Sequence, residues 1–103
     1  MNVVFFLNKL HSDVTREEYE RWVRSVDYPT AKSIPSIVDY TVARIEGLLD
    51  ASDPPPYDYV ERVVIQDIDS YRRDLADPRL DAFKQAWAAR VVESTAVHGT
   101  VVE

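Results

Sequence analysis

The chain has 103 residues, with 12 Lys and Arg against 18 Asp and Glu and a formal net charge of −6. Hydrophobic residues at 46% and charged residues at 29% fit an ordinary soluble domain large enough to bury a core, and the acid excess argues against nucleic acid as a partner. The absence of cysteine removes disulfides, a thiolate nucleophile and Cys-ligated zinc. The longest apolar run, residues 3–7, is too short for a membrane span and lacks the flanks of a signal peptide. One cytoplasmic domain, 1–103, is expected.

Residues 2–9 are β-branched and aromatic, a continuous apolar run that suits a strand covered on both faces. His11, Ser12 and Asp13 break it as a turn. Thr15 opens a helix: it has the capping-box spacing with Glu18, and Glu17 and Glu18 lie where the helix dipole favours negative charge. Tyr19, Trp22, Val23 and Val26 follow at i, i+3, i+4 and i+7, one face of an amphipathic helix. Residues 27–36 are expected to be a connection, because Pro29 and Pro35 oppose a helix running through. Residues 37–49 read as a strand rich in Val, Ile, Thr and Tyr. Residues 50–56 form a stiff proline-rich loop, and 57–66 the next strand, antiparallel to the last.

Residues 67–76 read as helix, with Ile68, Tyr71 and Leu75 on one side. Asp77 as N-cap and Pro78 at the first position restart a helix whose buried face carries Leu80, Phe83 and Trp87. Residues 91–102 close the chain as a strand, in which Gly99 is expected to mark a bulge or a close backbone approach. The order predicts an α+β, ferredoxin-like βαββαβ fold: a four-stranded antiparallel sheet with its helices on one face. The strands are apolar on successive residues, so the opposite face needs cover as well. A second copy of the chain is the simplest cover, and a homodimer is expected.

Gly47 and Gly99 are the only glycines, so neither a GxGxxG loop nor a P-loop can form; HExxH is absent too, and no nucleotide, metal or other cofactor is expected. His98, in the last strand, is a candidate general base near neutral pH; the plainer reading is a strand histidine at the dimer face or rim. Glu61 and Arg62 are neighbours in a strand and point to opposite faces, so one of them faces the helices or a cavity. A carboxylate there has to be paired, hydrogen-bonded or protonated. A Glu61–Arg44 cross-strand pair is the structural expectation, and a pocket in which Tyr40, Arg44 and Glu61 orient a polar ligand edge is the functional alternative. Tyr19, Trp22, Tyr28, Phe83 and Trp87 either fill the core or line a cavity between helices and sheet.

Residues 14–37, VTREEYERWVRSVDYPTAKSIPSI, are similar to a known family, as are Pro55-Pro56-Tyr57-Asp58-Tyr59-Val60-Glu61 and the acidic helix start Asp67-Ile68-Asp69. Over most of its length, and in order, the chain resembles the RedY-like (HapK) family of small bacterial proteins. The resemblance implies the dimeric α/β-barrel superfamily and a setting in bacterial pigment and secondary-metabolite clusters, with no firmly assigned reaction. It covers Trp22, Tyr28, Pro29, Tyr57, Tyr59 and Glu61. Wider relatives include cofactor-free monooxygenases, haem-degrading enzymes, cyclases and non-enzymatic stress proteins, among which fold alone does not choose.

The expected function is a small homodimer that binds an aromatic or hydrophobic small molecule. Any processing of it needs no metal or nucleotide. Trp22 and Phe83 supply apolar walls, Tyr28, Tyr40 and Arg44 complete the pocket, and Glu61, Tyr59 and His98 are polar handles. Proton transfer falls to His98 or Glu61. The alternative is a non-catalytic accessory or stress-type dimer with a packed cavity, and a cofactor-free or haem-degrading monooxygenase is a further one. A solvent-connected void of about 300 Å³ or more, with converging polar groups, separates the first reading from the second.

Overall fold

Four strands pair antiparallel into one sheet: β1 (Asn2–Leu10), β2 (Ile37–Arg44), β3 (Tyr59–Ile65) and β4 (Val91–Thr100), in the order β2-β3-β1-β4. The computed structural model describes residues 1–103. Between β1 and β2 run α1 (Arg16–Trp22), a π-helical turn (Val23–Asp27) and α2 (Tyr28–Lys32). Between β3 and β4 run α3 (Ile68–Leu75), a 3-10 turn (Pro78–Leu80) and α4 (Asp81–Ala88). This is the expected ferredoxin-like βαββαβ fold. No helix is long and apolar enough to cross a membrane.

The helix starts follow their caps. Thr15 Oγ1 accepts from the Glu18 N–H at 3.2 Å, Asp67 from Ser70 at 2.7 Å and Asp77 from Arg79 at 2.9 Å. The first helix does not stop where its prolines suggest. The Tyr28 N–H bonds to the Val23 carbonyl five residues back, which widens one turn, and Pro29 falls in the first turn of α2, where its missing N–H costs little. The connection expected over 27–36 therefore begins only after Lys32. Further on, β2 ends at Arg44 and residues 45–58 form the loop, closed at its base by Ile45 N–H to Asp58 O at 2.9 Å. Gly99 is neither a bulge nor a close approach: it pairs in register with Val3, and a Cβ there would meet nothing within 4 Å. The irregularity between β1 and β4 lies instead at Lys9/Leu10.

The register sorts residues between the two faces. Val4, Phe6 and Asn8 share the helix-covered side with Tyr40 and Val42 of β2 and with Tyr59, Glu61, Val63 and Ile65 of β3. Two apolar clusters sit there. One joins Leu10, Tyr19, Trp22, Val23, Tyr59 and Val91; the other joins Val4, Val63, Ile65 and Tyr71. The open face carries Val3, Phe5, Leu7, Val60, Val64 and Val97 along its centre, with Asp39, Thr41, Arg62 and Thr95 around them. Val3 and Val64 are buried already, whereas Phe5 and Val97 remain 37% and 53% exposed.

Val63 is fully enclosed in the second cluster, so Val63→Ala is expected to lower stability by about 2–3 kcal/mol through lost burial and a residual void. Asp67→Ala removes one helix cap and is expected to cost about 1 kcal/mol. Urea unfolding of both variants measures the two losses.

Candidate functional site

A cavity of about 160 Å³ lies between sheet and helices. Its apolar walls are Phe6 from β1, Ile34 beyond α2, Tyr71 and Leu75 from α3, and Phe83 and Trp87 from α4. Asp27 from the π turn, Tyr40 from β2 and Glu61 from β3 form its polar end, and Thr30 and Lys84 are its other polar lining residues. Asp27 and Glu61 are only 3% and 6% exposed. The Tyr40 hydroxyl oxygen stands 2.7 Å from Asp27 Oδ2 and 2.6 Å from Glu61 Oε1. Behind it, Asn8 Nδ2 donates to Glu61 Oε2, and Ser94 Oγ donates to Asn8 Oδ1 at 2.6 Å.

One hydroxyl has one proton. It can donate to one carboxylate, and a second unprotonated oxygen at the same distance would meet only lone pairs. Both contacts are satisfied when one carboxyl is protonated and donates to Tyr40 while Tyr40 donates to the other. The electrostatics agree. Burial pushes the Asp27 carboxyl up to about 7, the Glu61 charge adds to this, and the Tyr40 hydrogen bond pulls it back. Burial likewise raises Glu61, against hydrogen bonds from Tyr40 and Asn8 and a pull from Trp87. Neither carboxyl joins an ion pair; Lys84, the one cation among the lining residues, is exposed. No group of three or more His, Asp or Glu side chains comes together to hold a metal ion.

The family model of REDY-like protein HapK matches residues 2–102. The chain belongs to the REDY-like HapK family. Among solved structures, HapK from Hahella chejuensis is 29% identical with a TM-score of 0.78, covering 99% of this chain and 93% of that one. A dimeric ferredoxin-like protein of unknown function from Thermobifida fusca is 19% identical (TM-score 0.72; 97% of this chain and 90% of that one). SnoaB, a cofactor-independent oxygenase from Streptomyces nogalater, is 24% identical (TM-score 0.72; 100% of this chain and 96% of that one). The last two likenesses show the fold. No curated protein matches the chain.

Within this HapK-family chain, the residues singled out from the sequence fall in three places. Tyr40, Glu61 and Phe83 meet at the cavity, and Trp22 stacks on Phe83 from behind, with ring centroids 5.6 Å apart and planes at 17°. Tyr28, Arg44 and Tyr59 border a neighbouring groove with Glu20. The expected Glu61–Arg44 pair does not form. The register sets Val42 opposite Glu61 and Arg44 opposite Tyr59, and Arg44 instead clamps Glu20 at 2.7 and 2.8 Å. Arg44 and the Tyr59 hydroxyl, which donates at 2.5 Å, together hold the Glu20 carboxyl down to about 2. The Tyr28 hydroxyl accepts from the Val42 N–H at 3.0 Å. His98 is exposed on β4 opposite Val4 and borders a separate recess with Asn2, Ile65 and Ile68. His11 Nε2 lies 3.2 Å from the Ala88 carbonyl.

Asp27 and Asn8 were not singled out, yet both carried a signal. Asp27 is eight residues beyond Tyr19 and continues the stripe of Tyr19 and Val23; only the expected proline stop hid it. Asn8 alternates in phase with Val4 and Phe6, on the covered face.

Folded Asp27 keeps its proton to about pH 7, whereas an unperturbed carboxyl loses it near 3.8. Between those values the folded state binds more protons, so stability is greatest at the acid end and falls as pH rises. The melting temperature is expected to drop between about pH 4 and about pH 8, and Asp27→Asn to flatten that drop. Thermal unfolding across the range checks it; parallel curves for the two proteins would show that Asp27 titrates normally.

Proposed function

We propose that this chain acts as a cytoplasmic homodimer that takes the aromatic ring of a small molecule of bacterial metabolism into the cavity. The observation that carries the reading is the Tyr40-bridged carboxyl pair set into apolar, largely aromatic walls. Small-molecule sites have this make-up, a greasy enclosure with a few placed polar groups. Glu61 and Asp27, passing a proton through Tyr40, can give one to or take one from a ring substituent without metal or nucleotide. His98 has no part in this reading, because it borders a different recess.

The volume bounds the occupant. About 160 Å³ is roughly half of the 300 Å³ at which drug-sized pockets begin. Yet an apolar cavity of about 150 Å³ is enough to admit benzene. The cavity therefore suits one ring, with the remainder of the ligand leaving past Lys84. The small volume is also the one observation that favours an accessory protein whose cavity stays closed.

The open sheet face supports the dimer. Phe5 and Val97 stay exposed on it beside Leu7 and Val60, an apolar centre of the kind a symmetric partner buries.

Toluene is expected to change the tryptophan fluorescence saturably, since Trp87 lines the cavity. Ala31→Phe, which fills the cavity from its wall, is expected to abolish that change while the protein still melts cooperatively. No saturable signal in the wild-type protein would favour the accessory reading. Phe5→Glu combined with Val97→Glu is expected to halve the mass measured by light scattering; an unchanged dimer would place the interface elsewhere.

A further inference from the structure

Resting on that reading of the cavity, we infer that its ligand carries a positively charged nitrogen beside the ring, as an arylalkylamine does. The hydrogen-bonding capacity left on the carboxyl pair is that of an acceptor. Tyr40 commits its single proton within the pair, and the Asn8 amide donates to Glu61. What remains are lone pairs on two buried carboxyls and one mobile proton. No lysine or arginine neutralises them, and in a protein interior an unpaired carboxylate is costly. The carboxyls line an otherwise mostly apolar cavity, so the unused acceptor capacity, negative in sign, faces the space a ligand would fill.

An ammonium group answers this set. It brings three donors and no acceptor, and it forms charge-assisted bonds to both carboxyls. Phe83, Trp87 and Tyr71 also line the cavity, and aromatic rings attract a cation that meets their faces. A carboxylate or phosphate ligand meets like charge, and a neutral hydroxyl recovers only part of the available bonding.

The exchange is proton-coupled. When the ammonium enters, the O–H bond of the protonated carboxyl breaks, its proton leaves to buffer, and an N–H···O bond takes its place. The pair goes from one negative charge to two, against one positive charge gained. The ionisable groups around it are Asp27 on the π turn, Tyr40 on β2, Glu61 on β3, Tyr19 on α1, Tyr71 on α3 and Lys84 on α4. The tyrosines are all held above their ordinary range by burial, so only the carboxyl pair changes charge near neutrality.

The test compares benzylamine, benzyl alcohol and benzoate by calorimetry on the full chain, in two buffers of different ionisation enthalpy. Benzylamine is expected to bind about tenfold or more tighter than benzyl alcohol at about pH 8, with the gap narrowing by about pH 6. It should release protons at the lower pH, benzyl alcohol should release none, and benzoate should be weakest. Asp27→Asn, a near-isosteric change, is expected to remove both the preference and the proton release, so that benzylamine binds no tighter than benzyl alcohol to the variant. Equal affinity for amine and alcohol, or a preference for benzoate, would overturn the charge inference and leave the ring reading standing. If none of the three probes binds, the ring reading itself fails.

Discussion

The Tyr40 hydroxyl touches two buried carboxyls with a single proton to offer, and most of what is unusual in this protein follows from that constraint. A fold of this size has little stability to spare, and an ionised carboxylate without a cation is among the more expensive things to enclose. Here two are enclosed a few ångströms apart. They persist because a retained proton lowers their joint charge and because Asn8 and Tyr40 hydrogen-bond to some of their oxygens. Strained electrostatics of this kind collect at functional sites, although structural networks produce them too. What separates this instance is the adjoining cavity, which leaves one side of the pair facing space rather than packed atoms.

The backbone serves the same arrangement. The π turn between α1 and α2 adds a residue to one helical turn, accommodates Pro29 and carries Asp27 into the interior opposite Tyr40. Such turns recur where a helix has to present a functional side chain. The sheet supplies the rest by alternation: Asn8, Tyr40 and Glu61 lie on three adjacent strands, all on the covered side. The two apolar clusters flank the pair, one towards α1 and β4, the other towards α3. On the far side of the sheet the apolar surface is concentrated on β1 and β3, with polar residues towards the edges, which gives a compact patch rather than a uniformly greasy face.

Element types and their order were legible in the amino-acid sequence, because they rest on local physics. The caps at Thr15, Asp67 and Asp77 and the stripe from Tyr19 to Val26 need no distant partner to be recognised. So was the dilemma at Glu61, since neighbours in a strand cannot both face water in a covered sheet. The continuation of the helix through Asp27 is hidden for a local reason too: proline usually ends a helix, and a widened turn that tolerates it leaves no mark in spacing.

Which side chains meet was decided only in three dimensions. A two-residue offset in register sets Arg44 opposite Tyr59, where it reaches Glu20 rather than Glu61, and nothing in either strand alone reveals it. His98 and Glu61 both lie on the covered side of the sheet, yet two strand spacings and a shift along the chain keep them in separate recesses. Local pattern names the faces, because backbone geometry repeats every two or 3.6 residues; contact across the sheet depends on pairing between segments far apart in the chain, and there the tertiary fold has the last word.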